Sequence, residues 1–162
     1  MSEQTGEIDF ALAAFRDDGT WQVQEIASPA YDSVDSLSHA LRQVARDEAG
    51  AVAMVAVDED FFVLVRVVGP RTRVLLSDVT AADEWELAQS VIDFLGLPPP
   101  EDDDVEVPAG DLDLLGDLGL HAIDLGALLD DVELYPDEML SEIARRLGFG
   151  ERFDDAVGLT SA

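Results

Sequence analysis

The sequence predicts an α+β fold: a five-stranded, mostly antiparallel sheet in the order β-β-α-β-β-β-α, followed by an acidic, proline-rich linker and a C-terminal helical segment packing on the sheet domain. Three features of the chain lead there. Apolar runs of strand length between residues 51 and 76 are joined by turns so short that successive strands must be antiparallel neighbours. Residues 21–26 alternate apolar and polar side chains with the period of a half-solvated strand. Residues 34–48 and 81–95 carry apolar side chains at three- and four-residue intervals, the stripe of an amphipathic helix.

In order along the chain, residues 8–15 read as a strand, Asp17-Asp18-Gly19 as a turn, and residues 21–26 as the returning strand of a hairpin. Ser28-Pro29-Ala30-Tyr31-Asp32 interrupts extended structure, and Ser33 or Asp35 is placed to cap the first helix. That helix carries Val34, Leu37, Leu41, Val44 and Ala45 on one side and is released by Gly50. Residues 51–57, 61–68 and 72–76 then form three strands, separated by Asp58-Glu59-Asp60 and by Gly69-Pro70-Arg71. The run from Phe61 to Val68 has little polar character on either face. It is therefore expected between other strands, with a helix over one face and a helix or a partner over the other. The second helix keeps Trp85, Ala88, Ile92 and Leu95 to one side, with Thr80 or Asp83 as its expected cap, and stops at Gly96 before Pro98-Pro99-Pro100.

These signals divide the chain into a sheet domain (1–96), an acidic proline-rich linker (97–110), a helical extension (111–150) and a flexible tail (151–162). In the extension, Leu112, Leu115, Leu118, Ile123 and Leu128 are expected to cover the sheet, because so short and glycine-interrupted a segment makes a poor independent core. Pro136 opens a better helix carrying Met139, Leu140, Ile143 and Leu147, which Gly148 or Gly150 stops.

Composition narrows function. The 162 residues are 48% hydrophobic, enough to fold, yet carry 36 acidic against 9 basic side chains, all arginine, for a formal charge of -27. Such a field repels phosphate backbones and anionic lipid, so direct nucleic-acid or membrane binding is not expected. A basic protein is attracted, although acidity also serves solubility alone. The chain has no cysteine, hence no disulfide, thiolate metal site or thiol nucleophile. Its first residues lack the positive charge and apolar run of a secretory signal, and the expected location is cytoplasmic.

Local motifs for chemistry fail one by one. A deaminase zinc site needs a His or Cys ligand set and a proton-shuttling Glu, and here only His39 and His121 are present, far apart in sequence. Asp111, Asp113 and Asp117, with Gly116, begin like a calcium loop, but Ala122 stands where a bidentate Glu is required. The Gly116-Asp117-Leu118-Gly119 stretch has no lysine for a phosphate. Arg145-Arg146 suits the end of a helix, where cations complement the exposed carbonyls. No catalytic residue, cofactor site or metal site is therefore assigned. Candidate partner contacts are Asp102, Asp103 and Asp104 in the acidic linker, and Arg71 and Arg73, an isolated basic edge that either pairs with its own carboxylates or faces a partner.

Three stretches resemble a known family. They are Asp9-Phe10-Ala11-Leu12-Ala13-Ala14-Phe15-Arg16 with Gly19-Thr20-Trp21; residues 53–66, from Ala53-Met54-Val55 to Val63-Leu64-Val65-Arg66; and Val107-Pro108-Ala109-Gly110-Asp111 with Leu114-Leu115-Gly116-Asp117-Leu118-Gly119-Leu120. Over about residues 7–150 the chain resembles the actinobacterial tRNA adenosine deaminase-associated proteins. The resemblance implies a cytoplasmic protein associated with the enzyme that makes inosine at the wobble position, and supplies no catalytic residues. The expected function is a non-catalytic acidic accessory or regulatory protein whose partner is tRNA adenosine deaminase or another basic protein. The alternatives are a homo-oligomeric structural protein, such as a homodimer burying the valine-rich sheet, or a small-ligand-binding protein without a sequence motif.

Overall fold

The apolar runs form strands, and the turns between them set the order. The computed structural model describes residues 8–26, 33–45, 50–57, 61–83, 85–97, 108–131 and 135–157. Its strands are β1 (Ile8–Asp17), β2 (Thr20–Glu25), β3 (Ala51–Val57), β4 (Phe61–Val68), β5 (Arg71–Leu76) and β6 (Ala109–Gly110). Its helices are α1 (Val34–Val44), α2 (Glu86–Leu95), α3 (Ala122–Leu129), α4 (Pro136–Leu147) and α5 (Gly150–Val157). The strands make one antiparallel sheet in the order β2-β1-β3-β4-β5-β6.

Side chains alternate across this sheet, and both faces are dry at its centre. Ala53 and Val55 of β3 with Val63 and Val65 of β4 join Leu37 and Leu41 of α1 and Ala88 and Ile92 of α2 in one apolar cluster. Met54, Leu64 and Leu75, pointing the other way, join Leu114, Leu115 and Leu125 and the α4 residues Leu140 and Ile143 in a second. The C-terminal segment thus packs on the sheet within the same chain. Covering each buried Val or Leu contributes about 1.5–3 kcal/mol, which holds the three layers together.

Close backbone approach requires glycine at two points. Gly50, with φ 72°, leads into β3 where a β-carbon would collide with the carbonyl oxygen of Val67. Gly110, with φ 123°, brings β6 against β5 where a β-carbon would strike the Val74 carbonyl.

Several expectations are corrected. The sheet has six strands, not five: Ala109 and Gly110, placed in the linker by sequence, pair with Leu76 and Leu75. Residues 79–83 form a 3-10 turn, and α2 begins only at Glu86, with Trp85 rather than Thr80 or Asp83 at its N-cap. Packing decides this, since Trp85 is buried edge-on against Phe61 at 5.9 Å. Gly148, with φ 110°, does cap α4, but Gly150 opens a further helix where a flexible tail was expected. Phe149 stacks on Trp21 at 4.8 Å and Phe153 meets Phe10 at 5.4 Å, so two anchors one helical turn apart hold α5 down. Finally, Ile123 does not cover the sheet: it is 85% exposed, whereas Leu115 and Leu128 are buried.

Candidate functional site

Strand β4 carries one charge, Arg66, among seven apolar residues. The alternation of the strand turns Arg66 toward the C-terminal segment, where it is 2% exposed and is the sole charged residue buried among those described. A guanidinium cannot be deprotonated there, so it must be paired. The 3-10 turn Gly116–Leu118 supplies the partner. Arg66 Nη1 donates to Asp117 Oδ1 at 2.8 Å and to the Leu114 carbonyl at 2.9 Å, while Nη2 donates to Asp117 Oδ2 at 3.0 Å. These hydrogen bonds hold the Asp117 carboxyl below the usual carboxylate range, against a smaller opposing effect of burial. The Asp117 side chain itself remains 60% exposed.

Two more arginines stand on the same face. Arg73 of β5 lies directly opposite Arg66, and Arg71 opposite Val68. Like charges across a strand pair repel, and Arg73 is compensated by Asp111, whose Oδ2 lies 3.3 Å from its Nε, and by the Asp113 carbonyl at 3.4 Å. Asp111 Oδ1 also accepts the Asp113 backbone N–H at 2.9 Å. Arg71 is exposed and makes no hydrogen bond or ion pair among the described residues. Between these side chains and the turn lies a cleft of about 310 Å³, with Val68 and Leu114 contributing apolar surface.

Of the candidate contacts, Arg71 and Arg73 come together at this cleft. Asp102, Asp103 and Asp104 lie outside the described residues. His39 is exposed on α1 with its Nε2 2.8 Å from Gln43 Nε2, and His121 is the exposed N-cap of α3 without a capping side-chain bond. Among the described residues no three His, Asp or Glu side chains are close enough to hold a metal ion. Arg145 and Arg146 both bond Glu142 on the preceding turn, holding its carboxyl below the usual range. Sequence reasoning missed the Arg66–Asp117 pair. Its one signal was the lone charge inside an apolar strand, which demands a partner without saying which.

The turn bearing Asp117 lies in one of the stretches that carry the family resemblance, and it has a structural role. It delivers a carboxylate to Arg66 and sends Leu114, Leu115 and Leu120 into the second core. A family model for Rv3753c-like tRNA adenosine deaminase-associated proteins matches residues 9–150. The chain belongs to this family. Protein Rv3753c of Mycobacterium tuberculosis (strain ATCC 25618 / H37Rv), a relative, is 39% identical over 152 residues, spanning 91% of this chain and 87% of that protein. No solved structure matches. In this member of the tRNA adenosine deaminase-associated proteins, no described helix is long and apolar enough to cross a membrane.

Proposed function

We propose that the protein is a non-catalytic, cytoplasmic accessory protein that docks on a basic protein surface, with tRNA adenosine deaminase as the partner. The observation that supports this reading most is where the charge lies. No described carboxylate is buried, and the charged residue in the core is a cation, so the described acidic side chains of a chain with formal charge -27 all reach the surface. Membership of a family described as tRNA adenosine deaminase-associated points to the partner. An enzyme that grips tRNA needs a positively charged face, and an anionic protein is steered to the same face, either holding the enzyme or competing with tRNA.

Mixing the purified protein with the deaminase and following complex formation by sedimentation tests the reading. At physiological salt a complex is expected that weakens as salt rises and is displaced by tRNA. Absence of a complex at roughly tens of micromolar, with both proteins folded, rejects it.

A further inference from the structure

We propose that the cleft beside β5 binds a small molecule bearing a single carboxylate or phosphate group, gripped by Arg71 and Arg73. Basic residues are scarce here, nine in the chain, yet three of them line one cleft of about 310 Å³. The arrangement works against itself electrostatically unless each charge is answered, because Arg66 and Arg73 are cross-strand partners and Arg71 projects from the same face two residues along.

Three aspartates, Asp111, Asp113 and Asp117, stand by these arginines, but among the described residues their bonds reach Arg66 and Arg73 and not Arg71. Asp117 gives both oxygens to Arg66, and Asp111 divides its oxygens between Arg73 and the Asp113 N–H. Arg73 is held only at 3.3 and 3.4 Å, and Arg71 is left with no partner among the described residues. Two forked donors spaced about 7 Å along a strand can converge on one planar or tetrahedral oxyanion. Arg66 is not a ligand in this scheme. Fully engaged and buried, it is the fixed wall that holds the turn at a set distance from β5.

Size and field select the ligand class. A cavity of about 310 Å³ is at the small end of ligand sites, with Val68 and Leu114 to meet a short apolar body. The surrounding negative field disfavours a polyanion far more than one oxyanion, which argues against a nucleic-acid strand in this cleft. The inference goes beyond the docking role and does not depend on the deaminase.

Calorimetric titration of the full-length protein with inorganic phosphate and, separately, with butyrate tests it, at constant ionic strength maintained with sodium chloride. Saturable one-site binding of at least one probe is expected, and the preferred probe distinguishes phosphate from carboxylate chemistry. Arg71→Ala and Arg73→Ala should each weaken it about tenfold or more, Arg71→Lys should recover part of the loss, and Arg152→Ala on α5 should bind as the parent does. Circular dichroism and thermal melts establish that each variant is folded. Absence of saturable heat for both probes up to about 10 mM, in the range of weak small-ligand binding, overturns the proposal. Parent-like affinity in a folded Arg71→Ala, Arg73→Ala double variant overturns it equally.

Discussion

The two ends of the Arg66–Asp117 pair stand in different media, so removing them has unequal consequences. Arg66 is buried at 2% exposure, while the Asp117 side chain is 60% exposed. Asp117→Ala removes the counter-charge of a buried guanidinium and leaves it the Leu114 carbonyl, and should destabilise by about 1.5–3 kcal/mol in urea denaturation. Arg66→Met leaves a carboxylate that simply rehydrates and one carbonyl short of a donor, and should destabilise less, by about 1 kcal/mol. Equal losses in the two variants would contradict this account. The pair also predicts an acid limb. Because Arg66 lowers the folded-state pKa of Asp117, its contribution is complete above the unfolded value and is lost as pH falls through the folded one. The stability difference between the parent and Asp117→Asn should thus be constant near neutrality and shrink below about pH 4. Measuring the difference cancels the many other carboxylates that titrate in the same range.

Helix α5 and helix α3 show how the same apolar residue type acquires opposite importance. Phe153 is fully buried against Phe10, so Phe153→Ala should destabilise by about 3–5 kcal/mol in chemical denaturation. Ile123 is 85% exposed, and Ile123→Ser should stay within about 0.5 kcal/mol of the parent in the same assay. Periodicity alone suggested the reverse ranking. Half of the α5 residues are charged, and within the helix its apolar side offers one large anchor, Phe153, which Phe149, one residue before the helix, extends by a turn. Ile123 sits on a helix apolar nearly all round, where spacing cannot choose the buried side. By contrast, the Ser33 cap of α1 and the glycine ends of α2 and α4 were readable, because each depends on local backbone geometry. The two-residue β6 was not. Directly after Pro108, it has too few residues to show any period.

For the whole molecule, the decisive quantity is a formal charge of -27 on a chain whose described residues fold around two apolar clusters. Mutual repulsion of so many surface carboxylates opposes the compact state and is screened by salt. The midpoint of thermal unfolding should therefore rise by several degrees between about 20 and about 300 mM sodium chloride, read by differential scanning calorimetry. A flat or falling midpoint would show that the charges are too dispersed to matter for folding. The intramolecular cover on both faces of the sheet also removes the reason for a homodimer that hides its valines. Any self-association would have to use another surface.

Composition, periodicity and turn chemistry were sufficient for the α+β class, the run of strands from β3 to β5, the acidity and the family resemblance, since each depends on residues close together in the chain or on simple sums over it. Three things depended on contacts between distant segments: a sixth strand, an anchored last helix, and the meeting of Arg66, Arg71 and Arg73 with Asp113 and Asp117 in one cleft. Strand register brings the arginines onto one face, and a turn some fifty residues away carries the acids to them. A one-dimensional pattern can mark a charge that needs a partner, but only packing in three dimensions chooses which charge answers it and which is left to meet a ligand.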